Sequence, residues 1–237
     1  MSLVRRWILK CFVLALWIGA AAGGSNGAEI QSGSAMTIVA LGDSTTAGTP
    51  GFRSAAEFPP GGEGNEQSQY AYWVMKRHPE WRVLNRGVAG ERSDEILKRF
   101  ERDVLAFKPQ AVILLAGVND LYQGYDVTWV KRHLTGLYER ARQANLKVVA
   151  CTILPSNEAS RQVWERMQGV NEWIHTYSLE HDLAFCDTSR TVEDPENPGS
   201  LAGTPDGLHP DVEGYRKMGE AIAACLEERL PEEKRSN

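Results

Sequence analysis

Apolar positions along this chain fall into two alternating rhythms. Short, largely apolar runs occupy residues 36–41, 82–85, 111–116, 147–153 and 183–186, with the length and patterning of buried β-strands. Between them apolar residues recur at helical spacing. Ile96, Phe100 and Val104 are four apart, while Val130, Leu134, Leu137, Ala141 and Ala144, and then Val163, Met167, Val170, Ile174 and Tyr177, step by four and three. These stripes predict helix faces turned toward a core. A last helix is predicted from about Pro210, a residue favoured in a first helical turn, with Val212, Tyr215, Met218 and Ile222 on one side. Strands alternating with helices predict an α/β domain whose five-stranded parallel sheet is covered on both faces. Two stretches break the rhythm: residues 47–68 and 188–206, rich in Gly, Pro and polar side chains, predict long loops. The first leaves the carboxyl end of the first strand, where open α/β sheets bind their ligands, so it is expected either to border a site or to form a surface excursion.

Length and composition set the scale of this domain. The chain has 237 residues, 42% of them hydrophobic, enough for one sizeable core. The first 28 residues read as a separate unit: Arg5, Arg6 and Lys10, then the apolar run Cys11–Ala22, then small residues up to Ala28. Charged, apolar and small in that order is a cleavable secretory signal, and the apolar run is too short for a membrane span. The domain proper is therefore expected to be residues 29–237 of an exported protein without a stable membrane anchor. The segment VRRWILK also fits a twin-arginine export signal. Lys10 precedes Cys11 where a lipoprotein signal has a small residue, so lipid attachment is not expected.

Residues 1–28 hold three basic and no acidic residues, so their removal moves the net charge from −5 to −8. An acidic surface excludes nucleic acid as an expected partner, because phosphate binding needs clustered Lys and Arg. Cys151, Cys186 and Cys225 cannot all pair within one chain, and strand-like surroundings favour buried thiols for the first two.

Four polar segments stand at predicted strand ends or helix starts: Gly42-Asp43-Ser44, Asn85-Arg86-Gly87-Val88-Ala89-Gly90, Gly117-Val118-Asn119-Asp120 and Asp206-Gly207-Leu208-His209-Pro210. All four can converge on one rim. Ser44 is a candidate nucleophile, and a hydroxyl needs a base plus a group that fixes the base's tautomer. His209 and Asp206 can supply both, with Gly207 permitting the tight bend between them. A developing oxyanion needs donors, for which the candidates are the N–H groups of Ser44 and Gly87 and the side-chain amide of Asn119. Gly87 could instead serve a turn, and Asn119 could cap one.

These four segments together resemble the conserved blocks of the SGNH hydrolases, the GDSL-type lipase and acylhydrolase family: GDS, an Asn-x-Gly-x-x-Gly turn, GVND and DGLHP. The likeness runs from about residue 36 to 226. It implies a flavodoxin-like three-layer α/β/α sandwich and a carboxylic ester hydrolase with Ser44 as nucleophile, His209 as base and Asp206 as its partner. It also implies Ser44, Gly87 and Asn119 in the oxyanion hole, and no metal or organic cofactor. Thr45 departs from the family's usual Leu or Ile after the serine, which weakens assignment to a particular lipase branch.

Other readings fit less well. The G-x-S-x-G signature of α/β-hydrolases is absent around Ser44. A nucleotide-binding module using GVAG lacks the full G-x-G-x-x-G spacing and leaves DGLHP unexplained. The five histidines, His78, His133, His175, His181 and His209, show no metal-ligand spacing. A non-catalytic carbohydrate-binding module of the same fold would be favoured if Ser44 failed to react. Export and a polar first loop point to short acyl groups on polar molecules such as sugar acetates, with a long-chain acylhydrolase as the alternative.

Overall fold

The computed structural model describes residues 36–229; the expected signal, residues 1–28, lies outside them. Five parallel strands form the central sheet: β1, Met36–Gly42; β4, Trp81–Gly87; β5, Ala111–Leu115; β6, Lys147–Cys151; and β7, Ala184–Cys186. A short antiparallel hairpin, β2 (Phe52–Arg53) and β3 (Glu63–Gly64), stands apart. The sheet order is β4-β1-β5-β6-β7. Read as five strands this is the flavodoxin-like order, which places its topological switch point between β1 and β5.

Helices cover both faces, and β1 shows why. Its alternating side chains divide between two cores: Val39 and Leu41 face one, Ile38 and Ala40 the other. Residues two apart in a strand share a face. The first core is closed by α3 (Ser93–Lys98), α4 (Phe100–Asp103), α6 (Val127–Gln143) and α7 (Arg161–Glu180). The second is closed by α2 (Tyr70–Arg77), α8 (Thr188–Val192) and α9 (Val212–Glu227). Two short helices, α1 (Ser44–Ala47) and α5 (Val118–Tyr122), start directly beyond β1 and β5.

The predicted strands match these within a residue or two, and the helical stripes are the buried faces of α6, α7 and α9. Three local expectations change. The stripe Ile96, Phe100, Val104 is fully buried but its helix breaks at Arg99, which turns its guanidinium inward onto the carbonyls of Gly42 and Arg86. The last helix begins at Val212 rather than Pro210, because Asp211 is its N-cap and accepts the Gly214 N–H. The predicted 188–206 loop opens with α8, capped by Asp187.

Cys151 and Cys186 are register partners on β6 and β7, buried and free, and Cys225 is also free. Among the described residues no helix is long and apolar enough to cross a membrane.

Candidate active site

The carboxyl ends of β1, β4 and β5 and the segment before α9 meet around one cavity of about 260 Å³. Ser44 reaches it because Asp43 ends β1 and starts α1 at once: its side chain accepts the Thr45 N–H at 3.0 Å and its carbonyl the Ala47 N–H at 2.9 Å. That turn leaves Ser44 in the first helical position, 8% exposed and facing the cavity.

His209 Nε2 lies 2.8 Å from Ser44 Oγ, and His209 Nδ1 lies 2.7 Å from Asp206 Oδ2. An ionised carboxylate only accepts, so Nδ1 carries the proton and Nε2 is left to accept from the serine hydroxyl. The three-residue spacing works because Asp206 serves twice. Its Oδ1 accepts the N–H groups of Leu208 and His209, both at 2.9 Å, while Oδ2 meets the ring. Gly207 takes the left-handed conformation this bend needs, at φ 79°. Partial burial pushes the Asp206 carboxyl up, but the hydrogen bonds from the His209 ring and the two N–H groups outweigh it and hold it below the usual carboxylate range. The loop after β6 steadies the bend: Asn157 N–H and Ser156 Oγ donate to the Gly207 carbonyl at 2.9 and 3.2 Å.

Asn119, second residue of α5, lines the cavity and donates from Nδ2 to the Glu91 carbonyl at 2.9 Å. It does not cap a turn, since α5 has Gly117 as N-cap without a side-chain bond. The amide's second N–H is available to a ligand.

The Gly87 N–H does not reach this rim. It donates to Asn85 Oδ1 at 3.0 Å, in the short loop an Asn side chain makes with the backbone two residues on. Gly87 packs under α1 instead, where a Cβ would stand 2.1 Å from the Ala47 nitrogen. The residue of this turn that lines the cavity beside Ser44 is Gly90, at φ 79° with open space around it. Val88 N–H goes to the Gly42 carbonyl, Ala89 N–H to Glu57 and Glu91 N–H to the Val88 carbonyl. Among the described residues no protein acceptor takes the Gly90 N–H. The signal for this exchange was present in the sequence, since Asn85 stands two residues before Gly87 and Gly90 closes the same motif.

Asp43 itself is fully buried, with Oδ2 lacking a partner. Burial pushes its carboxyl up to about 7, opposed by the Thr45 N–H and the Arg99 charge and reinforced by Asp120. Asp120 is also fully buried but satisfied, accepting from Ser93 N and Oγ at 2.9 and 2.6 Å and from Trp129 Nε1 at 3.1 Å.

The rest of the cavity wall is mainly apolar, including Leu115, Val118, Ile153, Leu154 and Leu208. Tyr122, also in the wall, shares a 2.7 Å hydrogen bond with Ser156. Of the 47–68 excursion only Thr49 lines the cavity. Among the described residues no group of three or more His, Cys, Asp or Glu is placed to hold a metal ion.

Comparison with known proteins shows the family and the fold. The sequence profile of the GDSL-like lipase/acylhydrolase family matches residues 40–217. An acetylxylan esterase from Geobacillus stearothermophilus is 31% identical over 159 residues, covering 60% of this chain and 70% of that protein. A protein of the lipolytic G-D-S-L family from Desulfitobacterium hafniense superposes with a TM-score of 0.68 at 25% identity, covering 81% of this chain and 99% of its own. A catalytic mutant of an acetylxylan esterase from Geobacillus stearothermophilus shares the fold, with a TM-score of 0.64 at 21% identity, covering 82% and 95%.

Proposed function

The chain belongs to the GDSL-like lipase/acylhydrolase family and is a carboxylic ester hydrolase, and within that activity we propose an exported serine esterase that removes short acyl groups from polar molecules such as sugar acetates. Ser44 attacks the ester carbonyl as His209 takes its proton. Asp206 holds the imidazole in the required tautomer and stabilises the imidazolium that forms. The N–H groups of Ser44 and Gly90 and the Asn119 amide receive the developing oxyanion. The alcohol leaves with the proton from His209. Water, activated by the same imidazole, then releases the acid from the acyl-enzyme.

The observation that carries the substrate reading is the size of the cavity beside Ser44. At about 260 Å³ it falls below the roughly 300 Å³ at which pockets for drug-sized ligands begin. An acetyl group with part of a sugar fits such a volume, and a long acyl chain exceeds it. The acetylxylan esterase relative supports the same reading. Export rests on the charged, apolar and small segments within residues 1–28, with the catalytic domain over 29–237.

A matched ester series tests this. kcat/KM is expected to be highest for acetate and to fall as the acyl chain lengthens, with acetylated xylo-oligosaccharides deacetylated. A rate that rises to eight or more carbons would overturn the short-acyl reading. A fluorophosphonate should modify Ser44 alone; labelling elsewhere would remove the proposed nucleophile. Protein recovered outside the cytoplasm should begin between about residues 23 and 30, and an intact Met1 there would overturn cleavage.

A further inference from the structure

The 47–68 excursion contributes one residue to the cavity wall, yet it is bonded to the turn that carries Gly90. Ser54, fully buried, donates from Oγ to the Gly87 carbonyl at 2.5 Å and from its own N–H to the Glu57 carboxylate at 3.3 Å. The other oxygen of that carboxylate accepts the Ala89 N–H at 2.8 Å. Ser54 also closes its own loop, accepting the N–H groups of Glu57 and Phe58 on its carbonyl at 3.1 and 2.8 Å and that of Ala56 on Oγ at 3.0 Å. Ser54 and Glu57 thus hold the turn at its first and third residues.

Of the five consecutive N–H groups from Gly87 to Glu91, four are taken by protein acceptors. Gly87, Val88 and Glu91 bond to groups on β1, on β4 or within the turn itself. Ala89 alone is held from outside, by a loop 32 residues away in sequence. Its peptide adjoins that of Gly90, and Gly90 is a glycine in the left-handed region with no neighbour within 4 Å of a would-be Cβ, so nothing packed on that side of its Cα holds the peptide.

We propose that Glu57 is a positioning residue for ester hydrolysis: by accepting the Ala89 N–H it fixes the turn so that the next N–H, that of Gly90, points into the cavity beside Ser44. The excursion between β1 and α2 acts as a clamp on the oxyanion site and only at Thr49 as a wall. The proposal rests on the reading of Gly90 as an oxyanion donor. It assigns the work to an accepting oxygen and requires no charge, since a carboxylate and an amide oxygen both accept from an N–H. A donor displaced by a fraction of an ångström loses much of its effect on a transition state.

The test compares Glu57→Ala and Glu57→Gln with the parent, with rates expressed per Ser44 that reacts in a fluorophosphonate titration, so that unfolded protein does not count. Glu57→Ala is expected to lower kcat on a short ester by about 10- to 10²-fold, with KM within about twofold and an unchanged melting temperature. The rate of fluorophosphonate modification should fall in parallel, because phosphorus carries the same developing oxyanion. Glu57→Gln keeps its one amide oxygen for Ala89 and turns its NH₂ toward the Ser54 N–H, the longer of the two contacts at 3.3 Å, and should restore part of the rate. An Ala variant as fast as the parent, or a Gln variant as slow as Ala, overturns the proposal while leaving the esterase reading in place. A parent enzyme that neither hydrolyses esters nor reacts at Ser44 overturns that reading first and this inference with it.

Discussion

Asn119 donates its side-chain amide to the carbonyl oxygen of Glu91 at 2.9 Å, and that bond ties the end of β5 to the turn that follows β4. Among the described residues the amide donates and accepts nothing, which fixes what a substitution does. An aspartate at this position turns an acceptor toward the Glu91 carbonyl and a negative charge toward the proposed oxyanion. Asn119→Ala is expected to lower kcat by roughly 10² to 10³, the loss seen when one oxyanion donor is removed, with little change in melting temperature. Asn119→Asp should be slower still and less stable. Steady-state rates on a short ester with thermal melts check both, and an Asp variant faster than Ala would remove Asn119 from the oxyanion site.

Gly87 and Gly90 should separate stability from rate. A methyl group on Gly87 meets the Ala47 nitrogen at 2.1 Å and backbone cannot yield as a flexible side chain does, so Gly87→Ala is expected to lower the melting temperature strongly. Gly90→Ala meets open space but a strained φ of 79°, costing about 1 kcal/mol. Its main effect should be on kcat, through a displaced N–H. Equal melting temperatures for the two variants would contradict this division.

Asp206→Asn keeps the shape of the bend but presents an amide N–H to His209 Nδ1, favouring the tautomer with its proton facing Ser44. kcat is expected to fall by about 10³ to 10⁴ at neutral pH. The Asp206 carboxyl is held below its ordinary range, so its contribution to stability is present above the unfolded pKa near 3.8 and is lost as pH falls through the folded value. The stability difference between parent and variant should therefore shrink in acid, which melts between pH 2 and 6 will measure.

Asp43 carries the opposite sign. Burial raises its carboxyl from 3.8 to about 7, so the folded state holds a proton that the unfolded chain has already released. Its stability contribution is complete below about pH 3.8 and is lost as pH rises through about 7, on the order of a few kcal/mol. Asp43→Asn, neutral at every pH, should flatten this part of the profile and leave the variant relatively more stable at pH 8 than at pH 4. Parallel profiles for parent and variant would show that Asp43 is ionised throughout.

The layout of this protein is legible in its sequence because the relevant forces are local and periodic. Runs of apolar residues place five strands within a residue or two and helical stripes mark the core-facing sides of α6, α7 and α9, and β–α alternation leaves few topologies open. Asp206 and His209 are close because three residues with a glycine between them bend onto each other, a spacing visible in DGLHP. The GDS, GVND and DGLHP segments could be expected to meet, since sheet topology sends the carboxyl ends of parallel strands to one rim.

What spacing could not decide is which backbone groups remain free once side chains have chosen partners. Gly87 and Gly90 are both candidates within the motif, with the place of Asn85 two residues before Gly87 as the one signal between them; it is the Asn85 oxygen, turned back onto the Gly87 N–H, that gives the two glycines different roles. The burial of Asp43, with one oxygen unpartnered, depends on layers packed from distant parts of the chain. So does the volume beside Ser44, which is the gap left between the ends of β5, β6 and the bend before α9. Glu57 was one carboxylate in a polar stretch until the fold set it 2.8 Å from Ala89. Hydrogen bonds saturate, and each donor serves the partner the tertiary structure brings to it first, so the sequence determined which groups could do the chemistry and the packing decided which ones were left to do it.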